Sequence, residues 1–392
     1  MSETVSLFPD LPAESPEQSA FGILPAQAIR AFVASGVIGA DEPVTAAQIQ
    51  PASLDLRLGP TAWRVQASFL PGTGAPVERK LKELAMHEID LSAGAVLEKG
   101  CVYIVPLMET LRLPEKIAAT ANPKSTTGRL DIFTRLITDY GAAFEHVREG
   151  YQGRLYLEVS PRTFSILARA GDRLNQIRLR RGAPRTFDTV LHRSAEKEPL
   201  VFHPDAAPAK ADIAKGLHLT IDLEGAHGEN VIGFRARPHA PLVDLRRIGH
   251  YEPEAFWEPL YAPRAKHGRA GLILNPDDFY ILATRERVSI PPDLAAEMMP
   301  YDPAIGEFRI HYAGFFDPGF GHGLEPAGTP AVLEVRSHEV PFLMEDGQAV
   351  GRLVFESLTA PPELLYGADI GSSYARQGLK LSKHFKPFTP RG

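Results

Sequence analysis

Residues 97–125 read LEKGCVYIVPLMETLRLPEKIAATANPKS, and residues 274–302 read LNPDDFYILATRERVSIPPDLAAEMMPYD. The two stretches align without a gap, and the register continues downstream. Matched positions include Tyr103 with Tyr280, Ala118 with Ala295, Pro123 with Pro300, and Leu157–Val159 with Leu333–Val335. Internal repetition over this length indicates one domain present twice. We therefore predict two tandem copies of one fold.

Short apolar runs separated by turn residues indicate the fold class. The chain holds 35 prolines and 33 glycines, and they bound runs such as VYIVPL, RLYLEVSP, FYILATRE and GRLVFESL. Runs of this length between turn residues are typical of strands in a β-sandwich or β-barrel. The clearest helix is residues 24–37, LPAQAIRAFVASGV, where the apolar positions have helical spacing. We predict a mainly β protein with few short helices.

The domain boundaries follow from the repeat and from composition. The polar, proline-containing residues 1–20 are predicted to be a flexible arm. Copy one is placed at residues 21–184 and copy two at 216–392. Residues 185–215 lack a stable period, so we predict a linker there that is ordered in part.

Charge and cysteine content exclude several classes of protein. The formal net charge of −6 argues against a nucleic-acid coat or a membrane-surface binder, although a local pocket for a small anion is compatible with it. There is no membrane-spanning apolar run and no signal peptide pattern. The single cysteine, Cys101, excludes a disulfide framework and a cysteine-ligated zinc. We predict a cytoplasmic protein whose partner is a small molecule.

The loop KSTTGR at residues 124–129 is the first candidate site. Two cations, three hydroxyls and a glycine can present hydrogen-bond donors to phosphate groups. The spacing is not that of a Walker loop, and an exposed polar turn or helix start is the alternative interpretation. Copy two has YDPAIG at residues 301–306 instead. The change predicts one working site and one scaffolding copy.

A carboxylate in a strand is the second candidate. In GYQGRLYLE, residues 150–158, either Leu155 and Leu157 or Tyr156 and Glu158 face inward. Burial of Glu158 would raise its pKa and suit it to general-base catalysis, whereas an edge-strand glutamate in water would be inert.

Two further segments have both a functional and a structural interpretation. In QPASLDLRLG, residues 50–59, Asp55 and Arg57 lie on one face of a predicted strand. They are interpreted either as contacts to a nucleotide or as an ion pair on the surface. The segment SYARQGLKLS, residues 373–382, is basic and poor in apolar residues, and it is either a closing lid or a frayed tail.

The order of LPAQAIRAFVASGVI, QPASLDLRLG, PKSTTGR, GYQGRLYLE, GDRLNQIRL and SYARQG resembles dCTP deaminase in its longer, duplicated bacterial form. That family belongs to the trimeric dUTPase-like superfamily. The resemblance implies two tandem dUTPase-like β-barrel (β-clip) domains in a trimer-based homo-oligomer. It also implies hydrolysis of dCTP to dUTP, which supplies thymidylate synthesis, with Mg²⁺ bound through the substrate triphosphate. The H-x-E…P-C-x-x-C pattern of zinc deaminases is absent, so no zinc is expected.

The resemblance assigns roles residue by residue. Glu158 is expected to act as the general base, with Ser125 and Arg129 beside it. The expected substrate-binding residues are Lys124, Thr126, Tyr156 and Gln176, and, in the closing segment, Tyr374, Gln377 and Lys380. No residue is expected to bind a metal.

One motif departs from the family pattern and leaves alternatives open. The family pattern Ala-His-Arg-Ile-Asp-Pro-Gly is replaced in copy one by FEHVREG at residues 144–150. Copy two keeps AGFFDPG at 313–319 but lacks the hydroxyl loop. A composite site, in which copy two or another chain supplies the missing groups, is therefore an alternative to a site within copy one. Without a loop of its own, Glu334 is expected to contribute little. Rival functions are a dUTP diphosphatase, a bifunctional enzyme that forms dUMP, and a non-catalytic nucleotide-binding regulator.

Overall fold

The structure is a computed structural model of the chain. It describes residues 21–182, 186, 188–228, 230–262, 270–300, 308–310, 314–337, 339–367 and 378–389. The predicted N-terminal arm lies outside these residues. The described part consists mainly of short strands, as predicted from the sequence. None of its helices is long and apolar enough to cross a membrane.

Copy one, residues 21–182, contains three of the described helices and the first thirteen strands. The helices are α1 (Ala26–Ala34), α2 (Val77–Leu84) and α3 (Ser125–Gly128). The strands are β1 (Gly22–Ile23), β2 (Ile38–Ala40), β3 (Leu54–Leu56), β4 (Thr61–Val65), β5 (Ala85–Asp90), β6 (Ala95–Leu97), β7 (Val102–Arg112), β8 (Ile117–Pro123), β9 (Ile132–Thr138), β10 (His146–Val147), β11 (Gln152–Pro161), β12 (Ile166–Ala168) and β13 (Asn175–Arg181).

Copy two contains one described helix and the remaining strands. The helix is α4 (Asp188–Lys197), and the strands are β14 (Val201–Phe202), β15 (Leu217–Thr220), β16 (Val231–Ala236), β17 (Val243–Asp244), β18 (Trp257–Tyr261), β19 (Gly271–Leu274), β20 (Phe279–Val288), β21 (Leu294–Pro300), β22 (Phe308–Ile310), β23 (Phe315–Phe316), β24 (Thr329–Ser337), β25 (Phe342–Glu345) and β26 (Ala349–Ser357).

The predicted N-terminal helix is present but shorter than its apolar pattern. It begins after Pro25, because proline has no N–H to donate and fixes a helical φ. It ends at Ser35 and Gly36, where Gly36 takes a left-handed φ of 75° that terminates a helix without strain. Ile29 is fully buried in the core of copy one.

The predicted linker contains secondary structure that belongs to copy two. Helix α4 and strand β14 lie within residues 185–215, and β14 pairs with β20. Leu191, Leu200 and Val201 are buried in the core of copy two. The described residues from Asp188 onward in this segment are therefore part of a folded domain.

The repeat seen in the sequence is a repeat of sheet topology. Copy one has a sheet in the order β1-β13-β8-β10 and another in the order β5-β4-β7-β11-β9. Copy two has β15-β26-β21-β23 and β18-β16-β20-β24-β22. Register is also kept, since Glu158 pairs with Ile104 on β7 and Glu334 pairs with Ile281 on β20. The two glutamates thus occupy equivalent positions.

The two copies are packed tightly against each other. Strand β17 of copy two pairs in parallel with β12 of copy one. The guanidinium of Arg178 on β13 is fully buried and lies 3.1 Å from Glu356 and 3.3 Å from Asp317, both of copy two. Removing one partner from a buried ion group costs about 3–5 kcal/mol, so this contact resists separation of the copies.

Candidate active site

The loop between β8 and β9 is fixed by hydrogen bonds on its buried side and is exposed to solvent at Ser125. Lys124 keeps an extended backbone, and its carbonyl accepts hydrogen bonds from the amides of Thr127 and Gly128 at 2.8 and 2.9 Å. The buried Thr127 hydroxyl donates to the Leu174 carbonyl at 2.7 Å. Ser125 is exposed. One hydroxyl therefore fixes the turn, while that of Ser125 stays accessible.

Three cations line a cavity beside this loop. Lys124, Arg173 and Lys383 border a cavity of about 200 Å³ together with Thr126 and His384. Burial lowers the pKa of Lys383, and the charges of Lys124 and Arg173 lower it further. Crowded cations with polar donors favour an anionic ligand, whose charge relieves their repulsion.

Asp55 is the carboxylate within this group of cations. Its Oδ2 forms ion pairs with Lys124 and, at 3.3 Å, with Arg173. Its buried Oδ1 has no hydrogen-bond partner among the described residues. Arg57 pairs instead with Glu109, at 2.7 Å. The sequence alternative of a surface ion pair between Asp55 and Arg57 is therefore wrong.

A buried carboxylate of copy two lies next to the loop of copy one. Burial raises the pKa of Glu334 to about 8, while the nearby charge of Arg129 opposes this rise and that of Asp131 adds to it. Two residues along β24, Arg336 forms an ion pair with Asp131 and donates to Thr163 at 2.9 Å. The expectation that Glu334 has no hydroxyl loop beside it is corrected, because copy one supplies that loop.

The motif AGFFDPG of copy two contributes a second carboxylate. Burial raises the pKa of Asp317, the charges of Arg178 and Lys124 oppose the rise, and that of Asp55 adds to it. Asp317 thus lies close to the cations of the loop. Two carboxylates of copy two and the hydroxyl loop of copy one meet at the boundary between the copies.

Glu158 has a different environment from the one predicted. It is buried, but its Oε1 accepts hydrogen bonds from Arg135, at 2.9 Å from Nε and 2.7 Å from Nη2. Both faces of β11 are buried, since Leu155 and Leu157 lie in the main core and Tyr156 in a smaller one. The prediction that only one face of this strand is buried is therefore wrong, because each face packs in a core of its own.

Two predicted substrate-binding residues have structural partners. Tyr156 packs in the smaller core with Val77 and Leu81 of α2. Burial raises the pKa of its hydroxyl. Gln176 is buried, and its Oε1 accepts a hydrogen bond from Ser53 at 3.3 Å.

The end of the C-terminal segment packs against the loop. Arg129 donates to the Lys380 carbonyl at 2.8 Å, and Ser382 donates to the Thr126 carbonyl at 3.1 Å. Leu381 and Phe385 are buried in the main core, so this part of the segment is anchored and is not a frayed tail. Tyr374 and Gln377 lie outside the described residues.

Four residues of the site were not identified from the sequence. Arg173 lies within GDRLNQIRL, the quoted segment that offered a signal for it. Glu334 could have been identified from its alignment with Glu158 and the composite alternative. Asp317 stands in the retained AGFFDPG motif. Lys383 carried no signal apart from its position after the tail segment.

Known proteins match the chain over both copies. The family model described as the 2'-deoxycytidine 5'-triphosphate deaminase N-terminal domain matches residues 20–183, and that of the C-terminal domain matches residues 187–385. The crystal structure of 2'-deoxycytidine 5'-triphosphate deaminase from Agrobacterium tumefaciens is 53% identical with a TM-score of 0.84. It covers 90% of this chain and 100% of its own.

Shorter relatives match one part of the chain. The "dCTP deaminase, dUMP-forming" of Parafrankia sp. is 32% identical over 36% of this chain and 70% of its own length. The protein of the same name from Streptomyces avermitilis is 31% identical over 40% and 81%. Such coverage is expected if each relative corresponds to one copy. With both family models matched in order along the repeat, the chain belongs to the dCTP deaminase family.

Proposed function

We propose that the chain hydrolyses dCTP to dUTP and ammonia at a site shared by the two copies, with Glu334 as the general base. The observation that carries this proposal is that Glu334, buried in copy two, lies near enough to Arg129 of the hydroxyl loop for their charges to interact, on the strand whose Arg336 pairs with Asp131 of copy one. A general base works best when its pKa lies near the operating pH. A pKa of about 8 satisfies that condition.

The chemistry requires one proton acceptor and oriented polar groups. Glu334 takes a proton from water as the water oxygen bonds to carbon 4 of cytosine. The double bond between carbon 4 and nitrogen 3 opens as the oxygen adds. The proton held by Glu334 then passes to the amino nitrogen, the bond from carbon 4 to that nitrogen breaks, and ammonia leaves. The remaining hydroxyl proton moves to nitrogen 3 as the carbonyl group of uracil forms. Arg129 stabilises the ionised form of Glu334, and the exposed Ser125 hydroxyl is available to orient the water or the base. No metal takes part in these steps.

The phosphate end of the substrate fits the group of cations. Lys124, Arg173 and Lys383 supply charged donors to the triphosphate, and Thr126 supplies a hydroxyl. These donors suit phosphate oxygens and are not ligands for Mg²⁺, which prefers oxygen ligands. Mg²⁺ would therefore be carried by the triphosphate.

The matched substitutions Glu334→Gln and Glu158→Gln test the proposal. The first should lower deamination by at least ~100-fold, the usual scale for a positioned acid–base group, and leave dCTP binding intact. The second should leave the rate close to normal, because Glu158 is engaged with Arg135. The readout is ammonia release together with chromatography of the nucleotides. The reverse order of effects would place the base in copy one.

Formation of dUMP is the second candidate. Two relatives carry "dUMP-forming" in their names. The unpartnered Oδ1 of Asp55 beside Lys124 also offers a carboxylate oxygen near the proposed triphosphate. Incubation with dCTP and Mg²⁺ distinguishes the candidates. Only dUTP and ammonia support the deaminase, and dUMP with pyrophosphate supports the bifunctional enzyme. Tight binding without turnover supports a regulator.

A further inference from the structure

Glu158 and Glu334 occupy equivalent positions but have different neighbours. Each pairs with the same isoleucine position of the adjacent long strand, Ile104 for Glu158 and Ile281 for Glu334. Glu334 lies beside a loop supplied by the other copy. Glu158 is bonded to a side chain of its own copy, Arg135. The position next to the glutamate is thus occupied in copy one by a side chain of the same copy, Arg135.

The Arg135 guanidinium makes two kinds of contact. Its edge donates two hydrogen bonds to Glu158 Oε1, and its Nη2 also donates to the Ser68 hydroxyl. Its face lies over the Phe144 ring, with Cζ 3.6 Å from the centroid, and over Phe133 at 4.8 Å. A planar group stacked on an aromatic ring and bonded by its edge to a carboxylate makes the contacts that a bound amino-heterocycle would make.

The carboxylate is not fully satisfied by this arrangement. Glu158 is 1% exposed, and its Oε2 has no hydrogen-bond partner within the described ranges. Both hydrogen bonds that Arg135 donates to this carboxylate go to Oε1. A small ligand with two parallel N–H donors could bond both oxygens, which is the stronger geometry for a carboxylate.

Helix α2 closes this region from outside. Val77 and Leu81 pack with Tyr156 and Ile104 in the smaller core. The Val77 amide donates to Asp139 at 2.8 Å, which fixes the start of the helix to the end of β9. Glu158 is therefore covered by helix α2 and Tyr156 on one side and by Arg135 on another.

We propose that copy one holds a second nucleobase-type pocket that its own Arg135 keeps closed. The ligands that fit it are small planar groups with adjacent N–H donors, such as guanidinium, amidines and aminopyrimidines. The comparison with Glu334 rests on the proposed function, but the contacts at Glu158 do not. Arg135 occupies the place of such a ligand, so that the chain carries one deamination site.

The test is chemical rescue of Arg135→Ala, followed by thermal unfolding. The substitution leaves Glu158 buried without its cation, and the Tm should fall. Millimolar guanidinium chloride should restore at least half of the lost Tm in a saturable manner, because a ligand that binds only the folded state stabilises it. Tetramethylammonium chloride at equal ionic strength should not restore it. The wild type should show no saturable rise.

Two further variants keep the test decisive. Arg135→Ala combined with Glu158→Gln should lose the response to guanidinium, and a response that persists would overturn the proposal. If Arg135→Ala does not fold, Arg135→Gln frees part of the same volume and is tested in the same way. A missing response in the folded variant, or an equal rise in wild type and variant, also overturns it. The readout is stability, so failure of the deaminase proposal would not change it.

Discussion

In the proposed site, copy one and copy two each supply a different half. Copy one retains the hydroxyl loop at residues 124–129, but its glutamate is paired with Arg135. Copy two has lost the loop, and yet Glu334 is buried next to Arg129 of copy one. The comparison teaches that, in the proposed site, neither copy has to be complete on its own. Each unit can lose the half that its neighbour supplies.

The largest effect should come from the residue that joins the two halves. Arg129→Ala should lower deamination about 100-fold, the scale for loss of one positioned charged donor. The pH profile should move as well. Glu334 must be ionised to act, so activity rises with pH through a pKa of about 8. Because the positive charge of Arg129 opposes the rise in that pKa, its removal should move the acid limb to higher pH.

The matched control for this prediction is Arg135→Ala in copy one. It also removes a guanidinium bonded near a buried glutamate, but it should leave the acid limb in place because Arg135 lies beside Glu158. The measurement is kcat/KM against pH for both variants. If the acid limb of the profile stays in place in Arg129→Ala, Arg129 does not influence the general base, and this result would contradict the composite site.

A smaller effect is expected at the phosphate end of the site. Lys124→Ala, Arg173→Ala or Lys383→Ala should each raise KM by about 10- to 100-fold, since a charge-assisted contact contributes about 1.5–3 kcal/mol. The control is Lys386→Ala, whose exposed ammonium pairs with Glu252 outside the cavity. Normal KM values in all three variants would show that the cavity is not the triphosphate site.

The C-terminal residues are of two kinds. Phe385 anchors the chain in the main core, whereas Tyr374 and Gln377 are expected from the resemblance to contact the nucleotide. Phe385 is buried against Trp257 and Phe256, so Phe385→Ala should lower the Tm strongly, as loss of a core phenylalanine costs about 3–5 kcal/mol. Tyr374→Ala and Gln377→Ala should leave the Tm unchanged and lower kcat/KM roughly 10-fold if the segment excludes water from the site. Unchanged kinetics in both variants would remove the lid from the mechanism. A truncation after Gly371 would confound the two effects because it deletes both groups.

Local patterns were sufficient to predict much of the fold. The repeat predicted two copies with equivalent strands, and the short apolar runs predicted that these copies are mainly β. Helix α4 was missed because Leu191 is its only buried residue, so the helix has almost no apolar stripe. Tyr156 was predicted to bind the substrate, but helix α2 covers it. The sequence of α2 gave no indication of where that helix packs.

The site could be predicted only where its residues are neighbours in sequence. Lys124, Ser125 and Arg129 are adjacent in one loop, so their types and spacing were informative. Glu334 lies near that loop across the boundary between the copies, where Arg336 of β24 pairs with Asp131, the residue before β9. Contacts between copies depend on how two folded surfaces fit together, which no local period encodes. The same limit explains why the sequence left the burial of Glu158 open and did not identify Arg135 as its partner.

The smallest effect concerns a carboxyl of copy one that faces copy two. Burial raises the pKa of Glu145 to about 8, and the nearby Glu297 contributes to the rise. Between the ordinary pKa of glutamate and 8, the folded chain keeps a proton that the unfolded chain has released, so stability falls as pH rises through this range. Glu145→Gln removes this penalty and keeps an oxygen to accept the hydrogen bond from the Leu136 amide. Its free energy of unfolding relative to wild type, followed as the Tm difference, should therefore improve from pH 5 to pH 8, by on the order of 1 kcal/mol. The exposed Glu149→Gln should show no such trend, and a Glu145→Gln difference that is equal at both pH values would mean that the folded protein holds no extra proton at the boundary.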